Sequence, residues 1–171
     1  MMGIKRVCLL VVCLFISLGV QAEEAVLSLS SNLAAEVVEV RVSAGKKVKR
    51  GALMLQLEND VARVRLQQAR TERAHQELLL KEADNELQRS EELYDRTLLA
   101  DHDLDLARIA QAAAQSSYQG AVLRVKEAER EMERRRIVAP FDAQVLEVFV
   151  QVGETINGTL NSVKLITLSP L

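Results

Sequence analysis

Two stretches far apart in this chain repeat one another, and that repeat limits the fold more than any other feature. The earlier reads Val38-Glu39-Val40-Arg41-Val42-Ser43-Ala44-Gly45-Lys46-Lys47-Val48, and the later Leu146-Glu147-Val148-Phe149-Val150-Gln151-Val152-Gly153-Glu154-Thr155-Ile156. Glu39, Val40, Val42, Gly45 and Val48 align with Glu147, Val148, Val150, Gly153 and Ile156. A second glycine follows in each copy, Gly51 and Gly158, with one residue of slippage. Alternating β-branched residues before a glycine describe a short strand and a turn. Gly45 and Gly153 stand where the chain must reverse, in a left-handed conformation that other residues tolerate poorly. Leu53, Leu55 and Leu57, and in the later copy Leu165, Ile166 and Leu168, supply a further apolar strand. One copy is too small to bury both faces of its sheet. The repeat therefore predicts that the copies pack on each other as two layers.

The interval between the copies has a different character. From Asp60 to Arg136 it contains one glycine, no proline and helix-forming residues throughout. Leu66, Leu80, Leu87 and Tyr94 recur at multiples of seven, with Ala62, Ala69, Ala83 and Ser90 in the companion register. Further on, Leu104, Tyr118, Val125 and Met132 do the same beside Ala107, Ala114, Ala121 and Ala128. Large and small residues at this interval form a coiled-coil seam, weakened locally by Arg73, Gln76 and Gln111. The pattern breaks at Leu98-Leu99-Ala100-Asp101-His102-Asp103, where Asp101 or Asp103 is expected to cap a second helix. A short link favours an antiparallel hairpin whose arms extend on the order of 50 Å. A seam does not identify its partner, so an intermolecular coiled coil is the alternative. The expected class is α+β: a β-domain in two halves, interrupted by a long antiparallel coiled-coil hairpin.

The first residues read as an export signal. Lys5 and Arg6 precede an apolar run from Val7 to Val20, and Val20-Gln21-Ala22 offers a cleavage site. The run is shorter than the roughly 20 residues of a spanning helix, which favours cleavage over a retained anchor. The expected divisions are a signal peptide at 1–22, a first β-half at 23–59, the hairpin at 60–136 and a second β-half at 137–171. Cys8 and Cys13 both lie in the signal, so the processed chain would contain no disulfide. Neither follows the small residue that lipid attachment requires. Removal of Lys5 and Arg6 leaves a balance more acidic than the −2 of the whole chain, which excludes a nucleic-acid footprint.

With these features in place the sequence resembles the HlyD, or membrane-fusion-protein, family of periplasmic adaptors. The resemblance covers essentially the whole processed chain. It is strongest over Val40 to Gly51 and over the re-entry Ile137-Val138-Ala139-Pro140-Phe141-Asp142-Ala143-Gln144-Val145. Family members re-enter with Ala-Pro-x-Asp-Gly-x-Val. Ala143 replaces that glycine, so a different turn geometry is expected after Asp142. The resemblance implies a lipoyl-like (barrel-sandwich hybrid) β-domain with turns at Gly45, Gly51, Pro140, Asp142, Gly153 and Gly158. The family also carries Arg, Leu four residues on and Ser seven further at its hairpin tip. Arg89 and Leu93 keep that spacing, with Ala100 at the serine position. These three are the candidate docking residues. The implied partners are an inner-membrane transporter of RND or ABC type, a TolC-like outer-membrane channel and further copies of the chain. The implied location is the periplasm, peripheral to the inner membrane. Family members usually continue into a β-barrel and a membrane-proximal domain, so a minimal adaptor or a shortened product is expected.

Other chemistries fare poorly. Metabolic lipoyl domains display a lysine in a Glu-x-Asp-Lys-Ala stretch, whereas Glu58-Asn59-Asp60-Val61-Ala62 stands at the equivalent junction without one. His75 and His102 lack companions for a metal site, and Asp101-His102-Asp103 reads as a solvated turn. Gly45 to Gly51 lacks the Lys-Ser/Thr ending of a phosphate loop. Aromatics make up 3% of the chain with no tryptophan, which disfavours an aromatic-lined pocket. No catalytic residue, metal or cofactor is expected. The rival to an adaptor is a self-associating structural coiled-coil protein.

Overall fold

The computed structural model describes residues 26–158 and 161–171. The expected signal peptide at 1–22, with Cys8 and Cys13, lies outside the described residues. Four strands precede the helices: β1 (Leu27–Ser31), β2 (Ala34–Val40), β3 (Lys47–Val48) and β4 (Leu53–Leu57). Helices α1 (Asp60–Asp95) and α2 (Asp101–Arg134) follow. The chain then forms β5 (Arg136–Val138), β6 (Ala143–Val148), β7 (Thr155–Asn157) and β8 (Val163–Pro170).

The strands make two four-stranded antiparallel sheets, ordered β1-β8-β6-β3 and β5-β4-β2-β7. Each sheet takes two strands from each half of the sequence. Exchanging the halves, β1 for β5 through β4 for β8, converts one sheet order into the other, so the sequence repeat is a pseudo-two-fold of the body. Side chains from both halves fill the space between the layers. Val37, Met54, Leu55 and Leu57 from the first, and Val145, Leu165, Ile166 and Leu168 from the second, are fully buried. Full burial of such a side chain contributes roughly 1.5–3 kcal/mol, opposed by chain entropy.

The turns repeat down to single hydrogen bonds. Gly45 N–H donates to the Val145 carbonyl at 2.8 Å, and Gly153 N–H to the Val37 carbonyl at 2.8 Å. Both glycines sit at φ +85°. The second glycines differ: Gly51 turns at φ +80°, whereas Gly158 has no positive φ. A Cβ on Gly158 would lie 2.6 Å from the Asn32 backbone, so closeness of chain rather than torsion demands glycine there. Ala143 is extended, fully buried and opposite Val48 and Pro170 at the start of β6. Strand geometry at this position is open to alanine.

The helices lie antiparallel, joined across the pair by Arg65 to Glu131 (3.0 Å), Glu72 to Arg124 (3.9 Å) and Asp84 to Gln111 (2.9 Å). Ala62, Ser90, Leu104, Ala121, Val125 and Ala128 are buried along their contact. The register departs from the expected seam at two points. Glu72 is half-buried where Arg73 was expected, and Leu93 where Tyr94 was, Tyr94 being exposed. Strand β5 begins at Arg136, within the expected hairpin segment.

Candidate functional site

Two places concentrate specific geometry, the far end of the hairpin and its junction with the body. At the far end α1 closes with Leu98 N–H on the Leu93 carbonyl (2.9 Å) and Thr97 N–H on the Tyr94 carbonyl (2.8 Å). This pair of bonds is the Schellman ending, whose left-handed residue is usually glycine. Here that residue is Thr97, at φ +60°. A β-branched residue is strained in this region. Leu98, which in such an ending packs back on its own helix, is instead 69% exposed. Helix α2 starts from Ala100, extended at ψ 151°, with no side-chain cap. The cap expected from Asp101 or Asp103 is therefore not made: both lie inside the first turn, where a carboxylate still favours the helix N-terminus. Asp101 instead accepts a hydrogen bond from Tyr94, which raises the phenol's pKa.

The three docking candidates occupy distinct settings around this end. Arg89 is exposed and paired with Glu86 at 2.5 Å. Leu93 is half-buried, its carbonyl accepting from Arg96 and Leu98. Ala100 is exposed at the start of α2. Sequence reading placed Leu98 at the start of the break but did not single out Thr97, because a left-handed threonine leaves no mark in composition or period.

At the near end Arg135 ties the two arms to the body. Its guanidinium donates to the Glu58 carbonyl (2.7 Å) and to the Glu131 carboxylate (3.1 Å), which also holds Arg65. Its own carbonyl accepts from Leu57 N–H (2.8 Å) and the Gln56 amide (3.1 Å). Arg135 is buried, and its Nε has no partner. In the sequence it is the middle of Arg134-Arg135-Arg136, which reads as an ordinary basic helix end. Nearby, Arg134 donates to Asn32 at 2.6 Å, seating the β1–β2 turn against the hairpin base.

The turn candidates all lie in the body. Asp142 accepts from Arg50 N–H at 2.7 Å across the two halves, next to exposed Pro140. On the body surface Arg41 pairs with Glu39 at 2.8 Å, and that hydrogen bond holds the Glu39 carboxyl below the usual range. Asp60 begins α1, its N–H donating to the Glu58 carboxylate, and Val61 follows at the position where a carrier lysine would stand. Among the described residues no three His, Cys, Asp or Glu side chains are grouped to hold a metal. A groove of about 520 Å³ between Arg65, Glu72, Arg124 and Glu131 is open, with its cations already paired. No described helix is long and apolar enough to cross a membrane.

No sequence-family profile matches the chain. A relative from Haemophilus influenzae, described as an uncharacterized protein, is 30% identical over 129 residues, 75% of this chain and 30% of its own length. Among solved structures, a membrane fusion protein from Streptococcus pneumoniae superposes with a TM-score of 0.64 and 14% identity, covering 85% of this chain and 59% of its own. A chimera of MacA carrying the α-hairpin domain of Pseudomonas aeruginosa MexA gives 0.62 and 18%, over 85% and 48%. MacA from Actinobacillus actinomycetemcomitans gives 0.59 and 20%, over 84% and 49%. At these identities the likeness is one of fold. The chain spans about half the length of those structures and less than a third of the Haemophilus relative.

Proposed function

We propose that the chain is a non-enzymatic periplasmic adaptor of the membrane-fusion-protein type. In this reading the body is a lipoyl-like domain and the helices are a coiled-coil hairpin. Copies standing side by side link an inner-membrane transporter of RND or ABC type to a TolC-like outer-membrane channel. The observation that carries it is a two-sheet body built from both chain halves and interrupted by one antiparallel hairpin, the fold shared with membrane fusion proteins. Valine at position 61 in place of a carrier lysine and the open, paired grooves agree with a protein that positions partners rather than transforming a substrate. Under the same reading Arg89, Leu93 and Ala100 face the channel, residues 1–22 direct export, and the body lies peripheral to the inner membrane. A purely structural coiled coil would give no reason for the body's bonds between halves, such as Asp142 to Arg50.

The test places single cysteines, Arg89→Cys and Ala100→Cys, in the full chain co-expressed with a TolC-like channel bearing cysteines at its periplasmic mouth. Disulfide cross-links at both positions are expected. Their complete absence, with the adaptor present in the periplasm, would remove the docking reading.

A further inference from the structure

The pseudo-two-fold gives each turn of the body a counterpart, so a difference between the two shows what the fold itself does not require. Between its two glycines the earlier copy reads Lys46-Lys47-Val48-Lys49-Arg50, and the later Glu154-Thr155-Ile156-Asn157. Val48 and Ile156 are both buried and both apolar. Around them four cations stand against one acid. The turn thus tolerates either charge, and the basic run answers to something outside the body.

The two turns stand at opposite ends of the body. Strands β4 and β5 meet the hairpin where Gln56 faces Arg136, and part where Leu53 faces Val138. Beyond that far end Gly51 N–H donates to the Ala139 carbonyl and Arg50 N–H to Asp142, both at 2.7 Å, which holds the basic turn away from the hairpin. Lys47 lies beside it, opposite Gln144 on β6. The Glu154 turn lies at the hairpin end: its carbonyl accepts from Val37 N–H at 2.9 Å, and Val37 faces Leu57. All four cations are exposed, and among the described residues none is ion-paired. Lys46 donates to the Arg41 carbonyl at 2.7 Å, while Arg41 itself is paired with Glu39. Asp142, the acid beside the turn, offsets one of the four charges. Leu27, opposite Leu168, and Val138 add exposed apolar surface at the same end.

We propose that this end of the body rests on an anionic phospholipid surface, with Lys46, Lys47, Lys49 and Arg50 among its phosphates. Three of the four are lysines, whose mobile point charges suit a diffuse field better than the directed contacts of a shaped protein partner, for which the arginine fork is fitted. Such cations are drawn to an anionic bilayer within a Debye length, and exposed apolar side chains settle at its interface. The hairpin, leaving from the other end, then points away from the bilayer. The inference deepens the peripheral location in the adaptor reading, and its test needs neither transporter nor channel.

The full chain, purified as the cell processes it, is sedimented with vesicles of equimolar phosphatidylglycerol and phosphatidylcholine, and with vesicles of phosphatidylcholine alone. Retention on the anionic vesicles, its release by high salt and little retention on the neutral ones are expected. Lys47→Gln, Lys49→Gln and Arg50→Gln together should weaken binding about a hundredfold with the melting temperature unchanged. Lys46 is left in place because its ammonium holds the Arg41 carbonyl. Lys81→Gln, Lys126→Gln and Arg130→Gln together remove the same charge from exposed hairpin positions and should leave binding as in the parent. No retention, equal retention on neutral vesicles, or an equal loss in the hairpin variant each overturns the proposal. Absent retention joined to chemical cross-links from Lys47 to another protein would assign this end to an acidic protein surface instead. Channel cross-links at Arg89 and Ala100 that survive such a failure would leave the adaptor reading standing.

Discussion

In the body, Val37 and Val145 meet a core closed on every side, whereas Ala62, Ala121 and Ala128 in the hairpin are buried only because a second helix lies over them. The body gains stability from volume: large side chains of both sheets interdigitate at close packing. The hairpin gains it from length, through many small contacts flanked by exposed ion pairs such as Arg70 to Glu129. One missing methylene group therefore matters far more in the body than one missing charge on the hairpin. The contrast fits a part that must hold shape joined to a part that must reach.

The sharpest way to break this comparison is Leu55→Ala, which opens a cavity in the fully buried centre. A loss of about 2–5 kcal/mol in denaturant unfolding is expected. A loss as small as that of an exposed hairpin substitution would mean the body is not closed as described. Next in size is the joint: Arg135→Met removes charge-assisted bonds that tie Glu58 and Glu131, at about 1.5–3 kcal/mol by thermal unfolding. Spin labels in body and tip should also report a broadened distance distribution.

Within the body, Gly45→Ala and Gly153→Ala should cost nearly equal amounts, about 1–2 kcal/mol each, since both take the same left-handed torsion. Unequal costs would weaken the pseudo-two-fold as an energetic statement. On the hairpin, Ala100→Ser supplies the absent cap of α2 and should raise stability by about 1 kcal/mol. The smallest effect belongs to the exposed pair on the body. Arg41 lowers the Glu39 pKa, so the pair stabilises the fold above the unfolded value near 4.5 and is lost as pH falls through the lower folded value. The difference between the parent and Arg41→Gln should therefore shrink on acidification, and a difference that grew would reverse the assignment.

Much of this contrast is legible in the sequence, for reasons of period. Alternating Val38 to Val42 and seven-residue spacings such as Leu80 to Leu87 mark the strands and arms, and the pairing of Gly45 with Gly153 marks the symmetry. The remainder depends on contacts between distant residues. Gly51 and Gly158 align by type, yet one serves a torsion and the other a close approach to Asn32. The seam slips from Tyr94 to Leu93 because the helix ending sets the last turn, and heptads carry no such information. Arg135 is indistinguishable from its neighbours until the Glu58 carbonyl comes within reach.

The exchange of strands between halves also governs the order in which the body can form. Since neither sheet is complete until β5 through β8 exist, β1 to β4 must wait for their partners while the hairpin is made. Closing a flexible loop of roughly 80 residues would cost about 4 kcal/mol in chain entropy. Two helices that pair with each other carry the chain out and back along a defined path, so β5 arrives beside β4 with most of that search already done. The hairpin thus closes the long excursion between the two halves and sets β5 beside β4.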